Sequence, residues 1–199
     1  MPQDVRSPPS IVTVRDAPTD PDAFLRWAAG RPREEGRYEL SRGVVIQHMI
    51  NVTRRHSDIC INLVLAFGRL IDIDAYRITS TDFAVRTPVG IRGPDVMVER
   101  REGDPLGLSS DQPIMLGEVL SPSTAGIDFT EKRDEYFAIT ALQTYLICAA
   151  DEPRVWAWRR SADRSWPAKA TMFESRDDSV AIAGLDIDLP LAAIYRGMS

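Results

Sequence analysis

Apolar positions recur at helical spacing through one long stretch. Ile59, Leu63, Phe67 and Leu70, backed by Val64 and Ile71, predict a helix over about residues 54–72. A shorter amphipathic helix opens at Thr19-Asp20-Pro21, where proline is tolerated at the first helical position, and stops at Gly30. Elsewhere the period is two. Arg37 to Met49 reads as a β-hairpin turning at Ser41-Arg42-Gly43. Tyr76 to Arg86 alternates as one strand, and Pro88-Val89-Gly90 turns the chain into the next, Pro94 to Val98. After a loop over 101–112, Ile114 to Leu120 is a strand ended by Ser121-Pro122-Ser123. Asp128 and Glu131 are spaced as a capping pair for a helix reaching about Ile139. Thr144 to Ala150 is continuously apolar, as for a strand buried on both faces. Arg154 to Arg159 alternates clearly, and 168–174 and 179–183 read as two further strands.

The order from Arg54 to Ala150 is helix, three strands, helix, strand, a single α/β unit. Residues 1–20, rich in Pro, Asp and Thr, read as a flexible N-terminal arm before one domain over 21–199. Residues 1–10 contain no apolar run of the signal-peptide kind, and no stretch is apolar enough to span a membrane. A cytoplasmic location without membrane association is therefore expected. The net charge of −5 argues against broad nonspecific nucleic-acid binding but leaves room for a local basic groove. Arginines cluster at 31, 33, 37 and 42, at 54–55, and at 154, 159, 160 and 164; a solvated surface accounts for any one cluster. Cys60 and Cys148 sit in apolar runs without CxxC spacing or a histidine companion, so a zinc site is not expected and they read as buried free thiols.

Two strands each carry one carboxylate in an apolar setting: Asp95 before Val96-Met97-Val98, and Glu118 after Met115-Leu116-Gly117. Such a group is costly to bury unless it is paired or binds a cation. On adjacent strands with side chains to one side, Asp95 and Glu118 would form an oxygen-rich site for a hard cation, Mg²⁺ or Mn²⁺. Lys132, one of two lysines in the chain, follows on the next helix, and Tyr136 shares its face one turn on. Metal-assisted phosphodiester hydrolysis needs these parts: a metal to neutralise charge, an activated water and a cation at the transition state. Blander readings exist for the helix residues. Asp128 serves as a helix cap, Lys132 as its exposed partner, and Tyr136 as core. Glu39, between Tyr38 and Leu40, reads as a solvent-facing residue of an edge strand, and His56 as a surface or structural residue of a first helical turn.

The string Arg37-Tyr38-Glu39-Leu40 with Gly43, then His56, Pro94-Asp95-Val96, Glu118-Val119-Leu120-Ser121-Pro122-Ser123-Thr124, Asp128, Lys132, Tyr136 and Tyr145 resembles the bacterial Uma-type family of restriction endonucleases, placed in the PD-(D/E)XK nuclease superfamily. The resemblance runs from about Asp22 to the C-terminus. It implies a restriction-endonuclease-like core and a DNA endonuclease with a divalent metal at Asp95 and Glu118. It also brings in Glu39 and His56 as further catalytic candidates. The superfamily signature places a lysine two residues after the glutamate, where this chain has Leu120; the resemblance implies that Lys132 takes that role. The rival reading is a non-catalytic nuclease-like module binding nucleic acid or a protein. A homodimer is expected from the habit of nucleases of pairing subunits, with the alternation around Trp156 and Trp158 as contact surface.

Overall fold

The structure is a computed structural model that describes residues 12–48, 52–81, 83–121 and 125–198. The expected end of the hairpin at Met49, most of the expected arm and Pro122 to Thr124 lie outside the described residues. The chain begins with β1 (Val12–Val14), α1 (Pro21–Ala29), β2 (Arg37–Ser41), β3 (Val44–His48) and α2 (Arg54–Leu70). It continues through β4 (Tyr76–Ser80), β5 (Ala84–Thr87), β6 (Gly90–Arg92), β7 (Val96–Arg100), β8 (Ser109–Ser110) and β9 (Pro113–Val119). A helical segment follows: α3 (Ala125–Ile127), a wide π-turn over Asp128–Lys132, and α4 (Arg133–Phe137). The rest is β10 (Thr144–Cys148), β11 (Val155–Arg159), β12 (Thr171–Phe173), β13 (Ser179–Ile182), β14 (Ile187–Pro190) and α5 (Leu191–Ile194).

Two sheets carry this α/β fold. One has the order β1-β3-β2-β6-β5-β8, and the other β12-β11-β10-β9-β7-β4, with β13 and β14 a separate hairpin. In the second sheet β9 and β10 run parallel, and the other neighbours are antiparallel. Its two faces bury different partners. Val96, Val98, Met115 and Val119 face α2, where Ile59, Leu63 and Phe67 form the buried stripe. Met97, Leu116, Tyr145 and Ile147 face α4 and an aromatic cluster. Each buried apolar side chain contributes roughly 1.5–3 kcal/mol, which offsets the cost of the charged cluster at one end of this sheet.

Both N-terminal helices start as their sequences dictate. Asp20 accepts from Ala23 N–H at 2.9 Å ahead of Pro21, and Thr53 caps α2 through His56 N–H at 3.2 Å. Other expectations need correcting. Val12–Val14, assigned to the arm, pair as an edge strand with β3. The alternating run over 76–86 is two strands in different sheets, because Thr81 adopts φ 53° and turns the chain out of the second sheet. Pro88 to Gly90 do not lead directly into the Asp95 strand; β6 intervenes. Asp128 is not a cap: the helical segment begins before it, and its side chain is buried. Glu39 is on an interior strand, with β3 on one side and β6 on the other, and is fully buried.

The Trp156–Trp158 alternation is spent partly inside the molecule. Trp158 is buried against Tyr145, Phe137 and Phe129, and Trp156 meets Phe129 edge-on with ring centroids 5.0 Å apart. Trp158 is thereby covered, while Trp156 stays part-exposed. Gly90 shows how tightly the first sheet closes: a Cβ there would lie 1.9 Å from the Leu40 carbonyl oxygen. Gly90→Ala is expected to lower stability by about 1–3 kcal/mol or more, because the obstacle is backbone. Urea unfolding checks this, and an unchanged midpoint would contradict the packing of β6 on β2.

Candidate active site

The site begins with register. β7 and β9 pair antiparallel with Val96 opposite Gly117, so continuing the ladder by one step sets Asp95 opposite Glu118. The two side chains meet different helical segments, Asp95 meeting His56 of α2 and Glu118 meeting Lys132 and Tyr136 after β9, and the Asp95 charge still acts on Glu118. Each carboxylate is held by one oxygen. Asp95 Oδ2 accepts from Val119 N–H at 2.8 Å and lies 3.2 Å from His56 Nε2. Glu118 Oε1 accepts from Lys132 Nζ at 3.0 Å and from the Tyr136 hydroxyl at 2.8 Å. Among the described residues, nothing hydrogen-bonds Glu118 Oε2, and Asp95 Oδ1 has only the Arg37 guanidinium at 4.0 Å.

The helical segment after β9 delivers the cation. Asp128, Lys132 and Tyr136 recur every fourth residue and all turn inward. Lys132 is 1 % exposed, and its ammonium also lies 3.3 Å from Asp128 Oδ1 and 3.8 Å from Glu39 Oε1. The π-turn that carries it is a distortion often found at functional sites. The reading of Lys132 as an exposed partner of Asp128 is thus overturned: the pair exists, but in the interior.

Behind Lys132 is a second layer that the sequence did not reveal. Arg92, also 1 % exposed, grips Glu135 through two bonds of 2.7 Å, Glu39 Oε2 at 3.0 Å and Ser41 Oγ at 3.0 Å. Glu39 further accepts from Gly93 N–H at 3.0 Å and lies 3.2 Å from His48 Nε2. Arg92 sits in a three-residue strand, too short for a periodic signal. Glu135 looks like any charged helix residue, so neither could be singled out. His56, read as a surface or structural residue, is buried against Asp95. Cys60 does have a histidine companion: its Sγ is 3.6 Å from His56 Nδ1, one turn back on α2.

The electrostatics follow from burial and crowding. Burial raises the Glu39 pKa, but Lys132, His48 and Arg92 outweigh it and hold the carboxyl well below its usual range. Asp95 is likewise lowered: burial opposes ionisation, and the His56 hydrogen bond with the charges of Arg37 and Lys132 prevails. Burial would strip Lys132 of its proton, yet Glu118, Glu39 and Asp128 push its pKa above the ordinary lysine value. Glu118 goes the other way. Burial, with Asp128, Asp95 and Glu39 nearby, pushes it up to about 8 in spite of Lys132.

The charge count explains that last shift. Among the described residues, the five buried carboxylates Glu39, Asp95, Glu118, Asp128 and Glu135 share three cations, Lys132, Arg92 and the half-buried Arg37, so ionising Glu118 adds charge where carboxylates already outnumber cations. A divalent cation would balance that excess. Two carboxylates that each keep an oxygen are a hard-ligand set that suits Mg²⁺ or Mn²⁺. All five residues singled out from the sequence, Asp95, Glu118, Lys132, Glu39 and His56, are buried, with Lys132 joining Glu118 to Glu39 and His56 joining Asp95.

The mixed α/β architecture, two sheets with the charged cluster where β7 meets β9, is that of a nuclease-type fold. A solved structure described as a "putative nuclease belonging to DUF820" from Anabaena variabilis is similar at TM-score 0.66 and 18 % identity, over 87 % of this chain and 95 % of that one. The chain belongs to the Uma2 family, described as "Putative restriction endonuclease", whose sequence profile matches residues 21–192. An uncharacterized protein of Synechocystis sp. is 24 % identical over 185 residues, covering 90 % of this chain and 92 % of the relative. Among the described residues no helix is long and apolar enough to cross a membrane.

Proposed function

We propose that this protein is a divalent-metal-dependent endonuclease that hydrolyses DNA phosphodiester bonds, with Asp95 and Glu118 as the carboxylates that hold Mg²⁺ or Mn²⁺. The observation that carries the reading is a buried cluster in which, among the described residues, carboxylates outnumber cations and Asp95 and Glu118 each keep one oxygen clear of a hydrogen bond. When bound, the cation would neutralise charge developing on the phosphate and favour ionisation of an attacking water. The chain's own residues do the rest. Lys132, kept charged by three carboxylates, supplies a positive group preorganised in a water-poor pocket, where it acts more strongly than in bulk solvent. Tyr136 fixes Glu118 through Oε1. His56 and Val119 N–H fix Asp95 through Oδ2. Glu39 orients the Lys132 ammonium from behind, itself held by Arg92 and Gly93 N–H.

Calorimetric titration with Mg²⁺ tests the metal, and nicking of plasmid DNA tests the activity. One-site Mg²⁺ uptake lost in Asp95→Asn is expected. No uptake by the native protein would favour a nuclease-like module that binds nucleic acid or protein without hydrolysis. Affinity should also follow pH. Below about 8 Glu118 holds a proton that the metal must displace. Binding then strengthens as pH approaches that value, by at most about tenfold per unit, and levels off above it. Flat affinity across that range would contradict Glu118 as a ligand. A homodimer would present two such sites to the two strands of a duplex; static light scattering should give twice the chain mass, and a monomer would remove this part of the reading.

A further inference from the structure

We propose that His56, Cys60 and Asp95 form a binding site for a thiophilic divalent cation of the zinc class, adjoining the proposed Mg²⁺ site and sharing Asp95 with it. His56 and Cys60 are four residues apart on α2, so they share a face one turn apart. That face packs on the second sheet, where Asp95 leads into β7. One ligand atom from each residue lies within 4.8 Å of the other two, and all three residues are buried. Cys60 Sγ stands 3.6 Å from His56 Nδ1, and His56 Nε2 stands 3.2 Å from Asp95 Oδ2. Zinc bonds of about 2.0–2.3 Å to nitrogen, oxygen and sulfur set tetrahedral ligand atoms roughly 3.3–3.6 Å apart.

One ion takes one imidazole nitrogen, so with Nε2 as the ligand the Cys60 thiol leaves Nδ1, and the His56–Asp95 hydrogen bond gives way to the two metal bonds. Val119 N–H already holds Asp95 Oδ2 in place at 2.8 Å. A thiolate, an imidazole and a carboxylate are a soft-to-borderline set that selects a zinc-class ion over Mg²⁺. Thiolate and carboxylate together balance a double positive charge. The sulfur–metal bond forms as the thiol proton leaves to solvent, and a water completes the fourth position. One consequence rests on the reading of Asp95 as a Mg²⁺ ligand: a zinc-class ion draws Asp95 away and inhibits Mg²⁺ uptake.

Cobalt(II) titration of the full chain, followed by absorption, tests the site without any need for nuclease activity. The expected result is one equivalent bound, with tetrahedral d–d bands and a thiolate-to-cobalt charge-transfer band. The band is lost in Cys60→Ala and kept in Cys148→Ala, both compared by circular dichroism. Absence of the charge-transfer band in the native protein overturns the proposal by itself. So does a band that persists in Cys60→Ala or disappears in folded Cys148→Ala. Calorimetry of protein preloaded with one equivalent of Zn²⁺ should show Mg²⁺ uptake weakened by at least about tenfold. Equal uptake with and without Zn²⁺ overturns the sharing of Asp95. If Mg²⁺ binds in neither case, the hydrolytic reading of Asp95 and Glu118 falls, while the cobalt spectrum still decides the thiophilic site.

Discussion

Lys132→Ala lowers DNA cleavage by about a hundredfold or more, the scale of losing one preorganised electrostatic group, while Mg²⁺ affinity changes far less. The expectation rests on position. Leu120, where the superfamily signature has lysine, carries neither charge nor donor. Of the two lysines in the chain, Lys132 has its ammonium 3.0 Å from Glu118. It is not a metal ligand, and its removal makes the pocket more negative, so the cation binds at least as well. Removal also leaves Glu118, Asp128 and Glu39 without their shared counter-charge. Rates are therefore compared on protein shown to be folded, and Lys132→Met, which keeps much of the side-chain volume, serves as a second variant. Cleavage at the native rate by either folded variant would end the idea that Lys132 replaces the signature lysine.

Arg92→Ala is expected to cost about 3–5 kcal/mol of folding stability, the range for breaking a buried ion pair from one side. The guanidinium holds Glu135 with two bonds, Glu39 with one and Ser41 with one, all in the interior. Alanine leaves two buried carboxylates short of charge and a cavity behind them. The penalty depends on pH. The folded-state pKa of Glu39 is depressed, so its contribution is present above its unfolded value of about 4.3 and is lost as pH falls through the folded value. Arg92 is one cause of that depression, so the difference between native and variant is largest above about pH 4.3 and shrinks in acid. Urea unfolding at neutral and acidic pH measures both. A loss under about 1 kcal/mol at neutral pH would mean the network is screened like a surface pair.

Local patterns announced the elements whose reasons are local. The α2 stripe, the helix start at Asp20-Pro21, the hairpin turn at Arg42-Gly43 and the apolar strands around Glu118 and Tyr145 depend on neighbours a few residues away, and local pattern records them. Asp95 and Glu118 stood out because a carboxylate in an apolar strand contradicts its surroundings. Lys132 stood out because lysine is scarce and Leu120 is chemically empty. The resemblance to the Uma-type family added Glu39 and His56 where pattern alone favoured exposure.

Which face of an element is covered, and by what, is not local. Glu39 looked like an edge residue because nothing in its own strand reveals that β6 pairs beside it and that Arg92 reaches its oxygen. The run over 76–86 alternates without a break, yet Thr81 sends its halves to different sheets. Asp128 and Glu131 match a capping pair, yet the helical segment starts earlier and rotates Asp128 and Lys132 into the interior. Trp158, one of the two tryptophans of the expected contact surface, is covered by Phe129, Phe137 and Tyr145. The sequence by itself determined most of the helices and strands and singled out the two strand carboxylates, because propensity and burial cost act within a segment; the role for Lys132 came with the family resemblance. Only the tertiary structure decided the Arg92 network, the burial of Glu39 and the adjacency of Cys60, His56 and Asp95. Those depend on Coulomb and packing contacts between residues as much as 94 positions apart, as Ser41 and Glu135 are, for which no local pattern is a proxy.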